Sequence, residues 1–377
     1  MRVVVCFFMP LSPPSVSSFS DFLEKNMPFY FVLSPICAIF AVSINIRSFL
    51  RYQKYTQMRV LIVNTSEKTG GAAVAANRLM DALNNNGVKA KMLVRDKETE
   101  DITVVSLPRS LRLQWNFLWE RWCVFWHLHF SRQRLWEVDM ATSGTDITRL
   151  REFQEADVIH LSWINQGMLS LKNIRKIIRS GKPVVWTMHD LWPATGICHY
   201  ARGCNRYASA CGNCPLLPNK GSKTDLSAKI FRRKKELYHR GAISFVTCSR
   251  WLERQAKGSG LFVGQRITNI PNPIDTHVFC PQNQAEARLR AGLPADKHII
   301  LFVSQRVTDE RKGMRYFIEA IDRLVARYPE MKENTAIAIL GGHSEEVNLT
   351  LPSYSLGYVS DEKQIVAIYN SADAFVL

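Results

Sequence analysis

From Met58 onward, short runs of apolar residues alternate with longer stretches in which apolar residues recur at helical spacing. This alternation predicts a parallel α/β sheet, because parallel strands need helical crossovers. Strands are predicted at 60–64, 91–94, 158–162, 183–188 and 243–248, and helices at 72–86, 169–179, 226–240 and 249–256. Together they form one Rossmann-like series.

A second series of the same kind follows residues 270–275, where two prolines within three residues force extended backbone and end any helix. Strands are predicted at 299–304, 336–340 and 374–377, helices at 314–328 and 362–371, and a turn at Gly341 and Gly342. We therefore expect two Rossmann-like domains, residues 58–270 and residues 271–377, with the second one truncated.

Residues 1–57 form a hydrophobic extension with a different character. No charge occurs between Lys25 and Arg47, and residues 28–46 have about the length of a membrane-spanning helix of ~20 residues. Cations after this stretch would hold its C-terminal side in the cytoplasm, whereas its prolines weaken the helix. A membrane anchor, a mis-assigned start before Met58 and ordinary globular structure all remain open.

Composition narrows the protein class. Apolar residues make up 46% and charged residues 22%, which excludes a polytopic membrane protein and a largely disordered chain. The net charge of +16 favours anionic partners such as phosphates, nucleic acid or lipid headgroups. Isolated cysteines in apolar or mixed surroundings are typical of buried small hydrophobes in a cytoplasmic protein.

Two strand ends could hold phosphate. Gly70 and Gly71 join the first strand to an alanine-rich helix, so that backbone N–H groups and the positive helix end face an anion. A tight structural turn is the alternative. In the second series, Arg306, Lys312 and Gly313 bring two cations and a helix start to one strand end, which could hold a diphosphate without a metal. The alternative there is a solvated run of charges.

His189 and Asp190 end the strand predicted at 183–188. Polar groups at the end of a buried strand need partners or a function, so His189 could hydrogen-bond the hydroxyls of a sugar. A structural histidine is the alternative.

Four cysteines, Cys198, Cys204, Cys211 and Cys214, crowd into the loop 198–214. Their density suits a tetrahedral thiolate site for structural zinc. Because they contain one Cys-x-x-Cys pair, two disulfides or unligated thiols stay open.

Tryptophans recur at helical spacing in residues 115–126, with arginines on both sides. The members are Trp115, Trp119, Trp122 and Trp126, flanked by Arg109, Arg112, Arg121, Arg132 and Arg134. Such a helix could lie in a membrane interface, or it could pack on the sheet of the first domain.

Several segments resemble one family when taken in order. They are His160-Leu-Ser-Trp-Ile-Asn-Gln-Gly167, residues 181–193, the cysteine loop, residues 270–275 and Arg311-Lys-Gly313. Their combination resembles glycosyltransferase family 4, and within it the bacterial branch that makes capsular, exopolysaccharide and colanic-acid-like polymers. The resemblance implies a GT-B fold, with two Rossmann-like domains facing across a cleft, the acceptor bound mainly by the first and the sugar nucleotide by the second.

The resemblance also implies a function. It implies a retaining transfer of sugar from a nucleotide-diphosphate sugar to a glycan or lipid-linked acceptor in surface polysaccharide synthesis, without a divalent metal. The tryptophan-rich helix, if it lies in a membrane interface, would suit a lipid-linked acceptor at the inner membrane surface. Arg306 and Lys312 match the pair on the donor diphosphate, and His189 matches the histidine beside the donor sugar. The loop of Gly70 and Gly71 matches the phosphate-side and acceptor-side loop, and Tyr358 lies in the base-contacting region.

One departure qualifies this expectation. The acidic Glu-x7-Glu motif of the family would lie beyond Leu377, so we expect a fragment with reduced or no activity. Two other functions stay open: a basic nucleic-acid-binding protein with a structural zinc loop, and a GT-B sugar-nucleotide epimerase or hydrolase. We expect no nucleic-acid partner, because the prominent cations lie at strand ends and not on one aromatic face.

Overall fold

The computed structural model describes residues 58–108 and 110–376, which fall into two compact units that divide between Pro273 and Ile274. The membrane-spanning segment predicted at 28–46 lies outside these residues. Within the described ranges, no helix combines the length and the apolar character that a bilayer crossing requires.

The first unit is built on a seven-stranded parallel sheet with the order β3-β2-β1-β4-β5-β6-β7. Its strands are β1 (Arg59–Ser66), β2 (Lys89–Asp96), β3 (Val104–Ser106), β4 (Val158–Leu161), β5 (Val184–Met188), β6 (Ile243–Thr247) and β7 (Arg266–Asn269). Its helices are α1 (Gly71–Asn85), α2 (Leu111–His127), α3 (Arg151–Glu155), α4 (Leu171–Arg179), α5 (Leu226–His239) and α6 (Arg250–Lys257). The strand order reverses between β1 and β4, which is where α/β sheets bind ligands.

The central strands of this unit are buried on both faces and packed by aromatic side chains. All residues of β4 and β5 are buried, as expected for parallel strands covered on both faces. Trp186 of β5 stacks on Phe245 of β6 with 5.8 Å between ring centroids, and Phe245 meets Phe262 edge-on at 4.5 Å. These aromatic contacts fix β5 and β6 in the sheet.

The second unit is built on a four-stranded parallel sheet with the order β10-β9-β8-β11. Its strands are β8 (His298–Arg306), β9 (Thr335–Gly342), β10 (Ser353–Gly357) and β11 (Ala374–Val376), and its helices are α7 (Gln284–Ala291), α8 (Met314–Arg327), α9 (Met331–Asn334) and α10 (Glu362–Ser371). Phe302 of β8 stacks on Phe317 of α8 with a centroid distance of 5.4 Å. The predicted α/β class with two Rossmann-like sheets is confirmed.

One local prediction is wrong. Gly341 and Gly342 do not form a turn but end strand β9. Gly341 has a φ of 147°, and a Cβ there would come within 1.8 Å of the Ser304 carbonyl oxygen. Glycine is therefore required by the close approach of β8, and not by a chain reversal.

Candidate functional site

The glycine loop leads from β1 into α1. Gly70 is the N-cap residue of α1 with a φ of 92°, and no side chain caps this helix end. The first turn of α1 contains no acidic residue. The positive end of the helix macrodipole is therefore not neutralised by the helix itself, which suits the predicted anion site.

A buried carboxylate fixes this loop. Glu67 accepts hydrogen bonds from the backbone N–H groups of Glu98 and Thr99 at 2.5 and 2.9 Å, and from the Thr99 hydroxyl. Burial works to raise the pKa of Glu67, but these hydrogen bonds outweigh it and hold the pKa below its usual value. The ionised side chain thus ties the loop after β1 to the segment after β2.

His189 directly follows β5, at the strand end where it was predicted. Its Nε2 lies 3.1 Å from the Ser162 hydroxyl, which directly follows β4. Burial lowers the pKa of His189 to about 4, although the Asp190 charge works in the other direction. The imidazole is therefore neutral at pH 7 and can exchange hydrogen bonds with hydroxyl groups.

Asp190 is the centre of a network that sequence reasoning did not identify. Its carboxylate accepts hydrogen bonds from His199 Nδ1 at 2.7 Å, Trp163 Nε1 at 2.9 Å and the Trp192 backbone N–H at 2.8 Å. Burial opposes ionisation, yet the His199 charge and the hydrogen bonds keep the pKa of Asp190 below its usual value. The network holds the residue after His189 rigidly; its signal in the sequence was only the acidic side chain after a strand.

The predicted cations lie in the second unit. Arg306 is the last residue of β8, and its Nε donates to the Thr308 hydroxyl at 3.2 Å. Lys312 ends a single 3-10 turn, and Gly313, with a φ of 78°, starts α8. Both cationic side chains are exposed, and within the described residues neither forms an ion pair. They are available to an anion.

Arg311, the arginine between these two cations in the sequence, differs from them because it forms an ion pair. Arg311, between these cations, is engaged by the Asp309 carboxylate through a bidentate contact. Tyr358 follows β10, and its side chain is 63% exposed. Strand β9 lies between β10 and β8 in the sheet. Gly70, Gly71 and His189 thus lie at the strand ends of the first unit, and the cations and Tyr358 at those of the second.

Sequence comparison decides the family. The profile of Glycosyltransferase Family 4 matches residues 69–278, more than half of the 377-residue chain. The chain belongs to glycosyltransferase family 4. WcaC of Escherichia coli (strain K12), named as a colanic acid biosynthesis glycosyl transferase, is 32% identical over 85 residues, which are 22% of this chain and 20% of WcaC.

Other relatives of this family 4 chain extend the likeness. A phosphatidyl-myo-inositol mannosyltransferase of Mycolicibacterium smegmatis is 30% identical over 125 residues, 32% of this chain and 28% of the relative. The chain thus spans less than a third of either curated relative. Among solved structures, the trehalose-6-phosphate synthase OtsA superposes with a TM-score of 0.51 at 14% identity, over 85% of this chain and 78% of that chain. Such a match shows the fold alone, which is of the GT-B type.

The four loop cysteines of the family 4 chain line one cavity of about 20 Å³. Every described cysteine is a free thiol, and burial raises the pKa of Cys198 to about 11 and of Cys211 to about 12. No three of the four sulfur atoms lie within 4.8 Å of one another; among the described residues, only exposed His343, Glu345 and Glu346 form such a group. The zinc site stays a prediction.

Helix α2 turns its tryptophans outward. The side chains of Trp115, Trp119, Trp122 and Trp126 are 63%, 51%, 50% and 58% exposed. They do not form the packed face of the helix, and with Arg132 and Leu135 three of them line a groove of about 480 Å³. An exposed aromatic surface of this kind marks an interaction site.

The buried face of α2 is polar. Glu120 accepts hydrogen bonds from the backbone N–H groups of Met140, Thr142 and Ser143 at 2.9, 2.8 and 3.1 Å. Burial raises the pKa of Glu120 to about 7, and the charge of Asp139 adds to this rise. Arg121 forms a buried ion pair with Asp139 at 2.8 Å. The helix is thus anchored by the hydrogen bonds of Glu120 and the ion pair of Arg121, while its tryptophans are exposed.

Proposed function

We propose that this chain transfers a sugar from a nucleotide-diphosphate sugar to a glycan or lipid-linked acceptor, with retention of anomeric configuration, in surface polysaccharide synthesis. Membership of glycosyltransferase family 4 is the observation that carries the proposal. The likeness to WcaC supports the polysaccharide role.

Arg306 and Lys312 supply the chemistry for the donor. As the glycosidic bond to the nucleoside diphosphate breaks, negative charge builds up on the leaving phosphate. Cations already fixed at the end of β8 stabilise this charge more in the transition state than in the ground state. Because neither side chain forms an ion pair with a carboxylate among the described residues, both cations are available to the diphosphate.

His189 has a different part in the proposal. Its neutral imidazole, held against Ser162, orients a sugar hydroxyl through a hydrogen bond and adds no charge. In the front-face route, the acceptor hydroxyl attacks on the side of the departing phosphate, which takes up its proton. His189 is therefore proposed as a binding group for the sugar.

Donor binding provides the test. We expect Lys312→Gln to weaken binding of UDP or GDP by about 10- to 100-fold, because one charge-assisted hydrogen bond is lost. Calorimetric titration of the full chain with each nucleotide measures this effect. Lys332→Gln is the matched control, since Lys332 is an exposed lysine of the same unit away from β8.

The outcome separates binding from catalysis. If Lys312→Gln binds both nucleotides as tightly as Lys332→Gln, the donor site is not at the end of β8. Turnover of UDP- and GDP-sugars is measured in parallel, with proton NMR of the product to assign its anomeric configuration. An inverted product would contradict the retaining mechanism.

We also propose that the aromatic surface of α2 docks on an anionic bilayer, where a lipid-linked acceptor would be presented. Tryptophan rings prefer the membrane interface, and the exposed Arg112 and Arg132 complement anionic headgroups. A net charge of +16 adds long-range attraction to the same surface. The occupant is therefore a lipid surface and not an acidic protein groove.

Vesicle binding tests this docking. With phosphatidylglycerol-containing vesicles, Trp115→Gln/Trp119→Gln/Trp122→Gln should lower the affinity of the full chain by about tenfold or more. Trp251→Gln, which changes a tryptophan 55% exposed on α6, is the matched control and should bind normally. Brominated lipids should quench the tryptophan fluorescence of the control variant and of the unchanged protein. They should quench the fluorescence of the triple variant less. Equal quenching of all three proteins would refute docking through α2.

A further inference from the structure

Four cysteines from three short segments surround the same small cavity, which has no role in the proposed transfer. Cys198, Cys204, Cys211 and Cys214 all line it, and its volume is about 20 Å³. A space of that size holds one water-sized particle. His199 is not among the residues that line the cavity, and its Nδ1 donates to Asp190. The soft donor atoms around the cavity are therefore four sulfurs.

A backbone amide points at one of these sulfurs. The N–H group of Gly196 donates to Cys211 Sγ at 3.3 Å. N–H donors around a metal-bound thiolate orient the ligand and stabilise its negative charge. The N–H group of Leu217 donates to the Cys214 carbonyl oxygen at 3.1 Å and closes the turn after that cysteine. The loop thus holds Cys211 through its sulfur and Cys214 through its backbone.

The Cys211–Cys214 turn is held in place from outside the cavity. The Asp225 carboxylate accepts from the Cys214 backbone N–H at 2.9 Å and from the Ser222 N–H at 3.2 Å. Asp225 is also the N-cap residue of α5, since its side chain accepts from Ala228 N. The turn is thereby fixed to a long helix of the first unit.

The fully buried side chain of Lys234 lies beside the cysteine loop. Its Nζ donates to the carbonyl oxygens of Trp192 and Thr195 at 2.6 and 3.1 Å, and Thr195 lines the cavity. Lys234 belongs to α5, so these contacts fix the start of the loop to the same helix that Asp225 caps. The cavity is thus held to α5 on both sides.

We propose that Cys198, Cys204, Cys211 and Cys214 bind one structural Zn²⁺ ion. Each thiol gives up its proton to solvent and forms one Zn–S bond, so that four protons leave for each ion bound. In a tetrahedral site the sulfur atoms lie about 3.8 Å apart, which follows from Zn–S bonds of about 2.3 Å. Because no three sulfurs are now within 4.8 Å of one another, metal binding draws the loop inward.

The ion would stabilise a loop that has little regular structure. Between β5 and α5 the chain forms only three short 3-10 turns, at Trp192–Ala194, Arg206–Ala208 and Pro218–Lys220. Asp190 and its hydrogen-bond network lie at the start of this loop. Zinc would therefore act on the sugar-binding strand end indirectly, by fixing the loop that supports it.

Elemental analysis of the full chain, expressed with zinc and purified under reducing conditions, tests the proposal. We expect about one zinc per chain, and less than ~0.3 would overturn the site. The Cys204→Ser variant should contain less than ~0.3 zinc per chain. The Cys280→Ser variant, changed at a cysteine outside the cavity, should contain as much zinc as the unchanged protein. Full zinc in Cys204→Ser would also contradict the site, as would two disulfides found by mass spectrometry in the freshly purified protein.

A second variant guards against loss of folding. Cys204→His keeps a metal-binding side chain, so it should still bind Co²⁺ with the intense absorption of a tetrahedral ion but with weaker thiolate-to-metal charge transfer. Removal of zinc by a chelator should lower the melting temperature, and added Zn²⁺ should restore it. Co²⁺ absorption without thiolate charge transfer in the unchanged protein would refute cysteine ligation.

Discussion

At the scale of single residues, polar side chains are buried within the central strands of the first sheet. His160 of β4 is fully buried, and its Nε2 lies 2.8 Å from the Thr187 hydroxyl of β5. Burial lowers the pKa of His160 to about 3, with the charge of His189 as the smaller cause. The ring therefore takes up a proton at a much lower pH in the folded protein than in the unfolded chain.

This difference predicts acid sensitivity. The folded pKa is below the unfolded value of about 6.5, so the contribution of His160 is complete above pH 6.5 and declines by about 1.4 kcal/mol per pH unit as the pH falls towards 3. Between pH 7.5 and pH 5, His160→Gln should lose about 2 kcal/mol less unfolding free energy than the unchanged protein in urea titrations. An unaltered slope in His160→Gln would contradict the buried neutral ring.

Site residues differed in how well the sequence revealed them. The positions of His189, Arg306 and Lys312 at or after a strand end could be predicted, because the apolar runs of β5 and β8 are easy to recognise, while their roles stay predictions. The partners of Asp190 could not. Trp163 and His199 come from separate loops, and only the fold brings their N–H groups to one carboxylate.

At the scale of elements, helix α2 exposes its stripe of tryptophans and buries polar side chains, the opposite of the usual amphipathic helix. A helical stripe of tryptophans predicts the packed face, yet Glu120 and Arg121 are buried. The reason is local. Met140, Thr142 and Ser143 lie outside the strands, and the Glu120 carboxylate accepts from the backbone N–H groups of all three.

Two substitutions on α2 should therefore behave in opposite ways. Glu120→Ala leaves the N–H groups of Met140, Thr142 and Ser143 without their acceptor, and should lower the unfolding free energy by about 3–5 kcal/mol. Trp119→Ala, one residue earlier on the exposed face, should change it by less than about 0.5 kcal/mol. Urea denaturation at pH 7.5 compares them, and a larger loss for Trp119→Ala would mean that the tryptophan stripe is the packed face.

The elements that the sequence missed are short or polar. Strand β3 has three residues, β7 lies at the sheet edge with partly exposed residues, and β10 reads Ser-Tyr-Ser-Leu-Gly. Helix α7 has three charged residues in eight. None of these has enough apolar periodicity to be recognised, because each is formed through pairing with, or packing on, a stronger neighbour.

At the scale of the whole molecule, each unit has its own core and its own strand-end chemistry. At a strand end of the first unit lies the imidazole of His189, and at a strand end of the second lie Arg306 and Lys312, which form no ion pair within the described part of the chain. These residue types stand directly at or after apolar runs in the sequence, so their positions at strand ends could be predicted from the alternation of strands and helices. The predicted Rossmann-like repetition was readable because parallel strands buried on both faces leave continuous apolar runs.

The outward tryptophans have a practical meaning for anyone who handles the purified protein. Indole rings left in plain buffer are free to adsorb to column matrices and plastic, and to bind the same rings on another copy. We therefore expect a mild detergent or a nanodisc to improve recovery during chromatography, since it covers the exposed tryptophans of α2 and leaves the buried contacts of Glu120 in place.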